Sequence, residues 1–255
     1  MHSQYCDGDG KLVSYVKKAI EKNMYAIGFS SHAPVPFNSD GHMQLDHLDK
    51  YISEIECLKG EYEDIKIYSG LEVDYIPGQI CPNDYADRNL DLIVGSVHYT
   101  GQFEDQVNFC IDNTTEEFDR GLKLIFNNNI RRLVARYYEI VIEMVKNDPP
   151  DIIGHLDLIK KLNSNNRYFN EEDSWYQDII SDVIMAISKT NCIVEVNTRG
   201  YYKGITKEFY PSKQILKKCF EADIRLTINS DAHHPNEIAN NFEDVASVLL
   251  DIGYS

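Results

Sequence analysis

Five apolar runs in this chain stop abruptly at a histidine or a carboxylate. Ile27-Gly28-Phe29 leads into Ser30-Ser31-His32, and Ile67-Tyr68-Ser69-Gly70-Leu71 into Glu72. Leu92-Ile93-Val94-Gly95 leads into Ser96-Val97-His98, and Ile152-Ile153-Gly154 into His155. The last run, Ile224 to Ile228, ends in Asn229-Ser230-Asp231-Ala232-His233. A short apolar run of this kind reads as a buried strand. A polar residue at its carboxyl end reads as a side chain delivered to a site there. Five such ends predict one shared polar centre. Its residue types are those that hard and borderline divalent cations take as ligands.

Between the runs lie stretches with helical spacing. Leu12, Val16, Ala19 and Ile20 share one face, as do Leu45, Leu48, Ile52, Ile55 and Leu58. Helices are also predicted over 118–125, 130–144, 175–187, 211–220 and 241–250. A further strand, Cys192 to Val196, precedes Asn197-Thr198-Arg199-Gly200. Residues 103–113 show no clean period. Alternating strands and helix-length crossovers predict a parallel α/β sheet. About seven such units, with ligands at most strand ends, favour a barrel over an open sheet. No repeat or linker divides the 255 residues, so one domain is expected.

The formal charge of −16 argues against nucleic-acid backbones as partners. It also means that an anionic substrate needs bound cations or local basic residues. No apolar run is long enough for a membrane span, and no signal peptide is visible. The six cysteines form no CxxC pair and read as reduced thiols, which places the chain in the cytoplasm. Cys57, Cys192 and Cys219 fall in helix or strand patterns and are expected in the core; Cys6, beside Asp7, is placed near the site. His47 reads as a solvated face residue, and His42 lies in a loop. Asp74, two residues beyond Glu72, faces the same side and is expected to support the ligands from behind. Asp7-Gly8-Asp9-Gly10 starts like a calcium loop, but Leu12 stands where that loop needs glycine. No phosphate-cradling glycine loop or serine-hydrolase elbow is present.

The motifs taken together resemble the PHP (polymerase and histidinol phosphatase) superfamily. They are His2-Ser-Gln-Tyr-Cys-Asp7-Gly8, Gly28-Phe-Ser-Ser-His32-Ala-Pro-Val-Pro-Phe37, Gly70-Leu-Glu72-Val-Asp74-Tyr75, Gly95-Ser-Val-His98, Asp151-Ile-Ile-Gly-His155-Leu-Asp157, Glu195-Val-Asn-Thr and Asn229-Ser-Asp231-Ala-His233. The Ser-Ser-His-Ala-Pro and Gly-Leu-Glu-Val-Asp-Tyr forms point to the histidinol-phosphatase branch. The resemblance implies a distorted (β/α)7 barrel and two to three divalent cations (Zn, Mn, Fe or Co). The ligands it implies are His2, Asp7, His32, Glu72, His98, His155, Asp231 and His233, with Glu72, His98 and Asp231 at the reaction centre. The implied activity is hydrolysis of L-histidinol phosphate, a small phosphate monoester, in histidine biosynthesis. Arg199 is the first choice for binding the phosphate, followed by Lys203 and Lys160. The family opens with a strand and a His-x-His pair, of which only His2 is present. The expected barrel therefore lacks its first strand and also its extreme carboxyl end. Alternative readings are another PHP phosphoesterase, or a truncated and weakly active metal- or phosphate-binding form. Association into a homo-oligomer stays open.

Overall fold

The computed structural model describes all 255 residues. Its strands are β1 (Ala26–His32), β2 (Lys66–Asp74), β3 (Leu92–Ser96), β4 (Tyr99–Gln102), β5 (Asn108–Cys110), β6 (Ile152–Ile153), β7 (Ile193–Asn197) and β8 (Leu226–Asn229). Six of them form one parallel sheet in the order β1-β2-β3-β6-β7-β8, while β4 and β5 form a separate antiparallel hairpin. The strand order follows the chain order, as successive right-handed crossovers produce.

The sheet curls on itself. Its end strands β1 and β8 are not paired with each other, and the segment Met1–Ser3 lies between them. Ser30 N donates to Met1 O at 2.9 Å on the β1 side, and His2 N donates to Ala232 O at 2.9 Å just beyond β8. One short segment can bond both ends only if the sheet bends round. The sheet thus has six strands where about seven units were counted, and an irregular segment takes the remaining place.

Register sets the level of the strand ends. His32 lies opposite Glu72, Glu72 opposite Val94, and Asn197 opposite Asn229. Residues 69–74 of β2 are all buried, as expected of a parallel strand covered on both faces. Glu72 and Asp74 are therefore carried into the interior by the strand itself.

The helices are α1 (Leu12–Glu21), α2 (Leu48–Glu61), α3 (Thr115–Leu124), α4 (Ile130–Asn147), α5 (Ser174–Ile187), α6 (Arg199–Tyr202), α7 (Lys213–Glu221) and α8 (Phe242–Ile252). The longer ones bury apolar stripes; in α4 the stripe includes Leu133, Tyr137, Val141 and Met144. Thr114 and Asn129 cap α3 and α4 by accepting the backbone N–H of Glu117 and Arg132.

One expectation is corrected. Cys57 is exposed, whereas Cys192 and Cys219 are buried as expected. The buried stripe of α2 is Leu48, Tyr51, Ile55 and Leu58, and Cys57 sits two positions from Ile55, on the far side of the helix. Residues 103–113, which had no clean period, contribute β5 and the turn of the hairpin. β5 has only three residues, too few to show an alternation, and the hairpin's register shift falls earlier, between Tyr99 and Gln102.

Candidate metal centre

All eight expected ligand residues meet at the carboxyl ends of the strands. β1 delivers His32 and β2 delivers Glu72. His98 and His155 follow β3 and β6, and Asp231 and His233 follow β8. His2 and Asp7 come from the amino-terminal segment between the end strands. Gly8 makes that segment's turn possible, because a Cβ there would lie 2.3 Å from Ser3 N. Gly154 does the same before His155, where a Cβ would lie 2.4 Å from Ser96 Oγ. Asp231 itself has φ of 46°, a left-handed backbone that is uncommon outside glycine and recurs at functional sites.

Glu72 is the hub of the cluster. Its Oε1 is 3.1 Å from His155 Nε2 and 3.8 Å from His98 Nε2. Its Oε2 is 3.1 Å from His2 Nε2, which lies 3.0 Å from Asp231 Oδ1. Asp7 faces three imidazoles: His233 Nε2 at 3.2 Å, His2 Nδ1 at 3.7 Å and His32 Nε2 at 4.0 Å. Three overlapping groups result: Glu72–His98–His155, His2–Glu72–Asp231, and His2–Asp7–His32–His233. The ligand atoms within each lie within 4.8 Å of one another. Glu72 is shared by the first two groups and His2 by the last two. Cys6 Sγ lies 3.6 Å from His2 Nδ1, so this thiol does border the cluster.

Supporting hydrogen bonds fix the ligands from behind. Asp74 accepts from His98 Nδ1 at 2.6 Å and from His42 Nε2 at 2.6 Å. The bond to His98 leaves its Nε2 directed at Glu72. Glu195 accepts from His155 N at 2.7 Å, Asn197 Nδ2 at 3.0 Å and Asn229 Nδ2 at 2.9 Å, tying three neighbouring strand ends together.

The electrostatics fit cations. Burial alone would raise Glu72, Asp7 and Asp231, yet the facing imidazoles hold all three carboxyls well below the ordinary range. Burial would lower His98, but Asp74 overrides it and the imidazole stands at about 10. His32, buried and beside His2, is pushed down to about 3. In the protein alone, the facing carboxylates favour protons on His2 and His98. Cations would displace them, because a ligating imidazole must be neutral. Buried Nδ1 of His32 and Nδ1 of His155 have no hydrogen-bond partner. Such orphans are rare in a satisfied interior. The mixed imidazole and carboxylate set therefore fits divalent metal ions.

The cluster, apart from His2, forms the floor of a cavity of about 270 Å³. Arg199 and Lys203 line its wall, as do Tyr210, Lys161 and Asp112. Arg199 Nη1 donates to Asp231 O at 3.1 Å and to Glu237 Oε2 at 3.2 Å, and Lys203 pairs with the same carboxylate. Lys160 is elsewhere. It is buried against Asp157 Oδ2 at 2.7 Å and Phe209 O at 3.0 Å, and it lines a separate polar cavity. It holds the 209–212 segment, since Asp157 Oδ2 also accepts from Ser212 N at 2.9 Å. The lysine that reaches the metal-site cavity is its neighbour Lys161. The Leu158–Lys160 helical turn sends adjacent side chains in different directions, which sequence alone did not reveal. Asp112, Lys161, Tyr210 and Glu237 were missed, because they follow no strand-end pattern.

This chain belongs to the PHP domain family, whose model matches residues 1–199. It is 28% identical to "Probable histidinol-phosphatase" of Deinococcus radiodurans, over 99% of this chain and 92% of that protein. Its fold matches a solved Listeria monocytogenes structure with a TM-score of 0.82 at 22% identity, covering 95% of this chain and 97% of the other. It also matches histidinol phosphate phosphatase of Lactococcus lactis, solved with zinc, L-histidinol and phosphate. There the TM-score is 0.75 at 21% identity, covering 100% of this chain and 92% of the other.

Proposed function

We propose that this chain is a metal-dependent phosphomonoesterase that hydrolyses L-histidinol phosphate to L-histidinol and phosphate, a step of histidine biosynthesis. The observation that carries the reading is the convergence of eight metal-ligand side chains, seven of which, all but His2, line a cavity that also bears Arg199 and Lys203. The choice of substrate is supported by the relatives, one named for this activity and one solved with histidinol and phosphate.

His2, Asp7, His32, Glu72, His98, His155, Asp231 and His233 would hold two to three cations, with zinc favoured by the Lactococcus lactis relative. Such cations supply Lewis acidity, neutralising phosphoryl oxygens and making water nucleophilic at neutral pH. The chain's own groups do the rest. Glu72 joins two ligand groups and sets their spacing. Asp74 holds the His98 tautomer. Arg199 and Lys203 present donors from the wall for phosphoryl oxygens, in charge-assisted bonds. Walls built by Leu158, Ile205 and Tyr210 limit water around the ester. We place the enzyme in the cytoplasm, a setting in keeping with six unpaired cysteines.

The test is phosphate release from L-histidinol phosphate and from phenyl phosphate, with each candidate metal supplied in turn. A clear preference for histidinol phosphate is expected. Equal turnover of both would leave a general PHP phosphoesterase, and no turnover of either with any metal would overturn the enzyme reading.

A further inference from the structure

The cavity wall contains a carboxylate that the metal reading does not use. Four carboxylates line the cavity: Asp7, Glu72, Asp231 and Asp112. The first three belong to the ligand groups, and Asp112 belongs to none of them. A carboxylate on the wall of a site for a phosphate dianion is unfavourable by simple Coulomb repulsion, which its pairing with Lys161 offsets only in part. Such a charge calls for a reason.

Asp112 is firmly placed. Ile111 N donates to His98 O at 2.9 Å, which fastens the residue before it to the ligand-bearing end of β3. Lys161 Nζ donates to Asp112 Oδ2 at 2.7 Å and Cys110 Sγ to Oδ1 at 3.1 Å. Two ionised carboxylate oxygens accept about four hydrogen bonds, so acceptor capacity is left over. The side chain keeps 17% exposure, and the exposed part adjoins the cavity. On the same wall stands Tyr210, 3% exposed, with a hydroxyl that has no hydrogen-bond partner. A fixed carboxylate and an unpartnered hydroxyl together make a receptor for a cationic N–H group.

Resting on the proposed substrate, we infer that Asp112, with the Tyr210 hydroxyl lining the same cavity, binds the cationic nitrogen of the alcohol part of the phosphate ester. Histidinol phosphate carries an ammonium on the carbon next to the ester-bearing carbon, and an imidazole beyond it. Its phosphate faces the metal floor, Arg199 and Lys203, so its cationic end needs an acceptor elsewhere. Lys161 holds the carboxylate in place. Asp112 is thus a specificity residue, and the cavity selects zwitterionic monoesters over purely anionic ones.

The test measures kcat/KM for L-histidinol phosphate and for phenyl phosphate, which has no nitrogen, in wild type, Asp112→Asn and Asp112→Glu, with metal content and melting temperature recorded. In Asp112→Asn the ratio of the two kcat/KM values is expected to fall by about 10- to 100-fold, the scale of a charged hydrogen bond. Asp112→Glu keeps the charge but moves it by a methylene, and a smaller fall in the ratio is expected. If Asp112→Asn does not fold, the Asp112→Glu ratio decides. An unchanged ratio, or equal losses on both esters, would overturn the inference while the substrate reading stood. A wild-type ratio near one would overturn the substrate reading itself, and this inference with it.

Discussion

The floor and the wall of the cavity are built by different rules. Every floor ligand except His2 and Asp7 sits at or just past the end of a parallel strand, Glu72 and His155 buried and the others half-buried. The wall residues Asp112, Lys161, Arg199 and Lys203 come from a hairpin end, a single helical turn and a four-residue helix. The floor is positioned by the sheet, whose register fixes side chains in level rows. The wall is positioned by loops that rest on the floor. In such folds chemistry is kept by the scaffold and selectivity by the connections. If that division holds here, damage to the floor abolishes turnover of every ester, and damage to the wall changes which ester is preferred.

The sharpest way to break the comparison is to remove the metals. Exhaustive chelation is expected to abolish hydrolysis of both histidinol phosphate and phenyl phosphate. It should also lower the melting temperature, because ions that bind only the folded chain stabilise it by mass action. Unchanged activity and melting temperature after chelation, with metal absence verified by elemental analysis, would remove the distinction altogether.

Glu72→Gln comes next. The substitution keeps the shape of the hub but removes the charge that two ligand groups share. Turnover of both esters is expected to fall by at least about a hundredfold, given the several kcal/mol that metal activation supplies. A loss on one ester only would move Glu72 from floor to wall. Asp74→Asn is a step milder. Asp74 does not face the cavity but bonds His98 and His42 at 2.6 Å each. Loss of such a supporting partner costs about 10- to 100-fold in metal affinity or activity. Titration of metal into the variant, alongside turnover at saturating metal, separates weakened binding from misdirected chemistry.

The same division explains what the sequence disclosed. His32, Glu72, His98, His155, Asp231 and His233 were legible because an apolar run ending in a ligand type is a local signal, and a parallel sheet gathers such ends at one side. His2 and Asp7 had no such run, and only the family likeness pointed to them. Asp74 was readable by its period of two from Glu72, but its second partner, His42, comes from a loop some thirty residues away in sequence. Asp112 and Lys161 carry no local mark: their meaning lies in a pairing across 49 positions. Lys160 and Lys161 illustrate the limit. Adjacent and identical in type, they face different cavities, and only the helical turn that separates them decides which is which.

The smallest expected effects lie within the wall, and they rank its two phosphate-binding cations. Arg199 and Lys203 share Glu237, which also accepts from His233 N at 3.0 Å. Arg199 is the less exposed side chain, 27% against 39%, and its guanidinium is tied to Asp231 O, so it is held over the floor. A planar fork held in place loses little freedom on binding a phosphate, whereas an exposed lysine stem must be ordered first. Arg199→Ala is therefore expected to raise KM for histidinol phosphate by about 10- to 100-fold with little change in melting temperature. Lys203→Ala should raise it by no more than about fivefold, the scale of an exposed charge pair. In the double variant the losses should combine to less than their product, because each cation restrains the carboxylate that competes for the other. Equal KM increases in the two single variants would break the ranking. They would show that burial beside Asp231 does not set Arg199 apart, and that the wall offers the phosphate two equivalent cations.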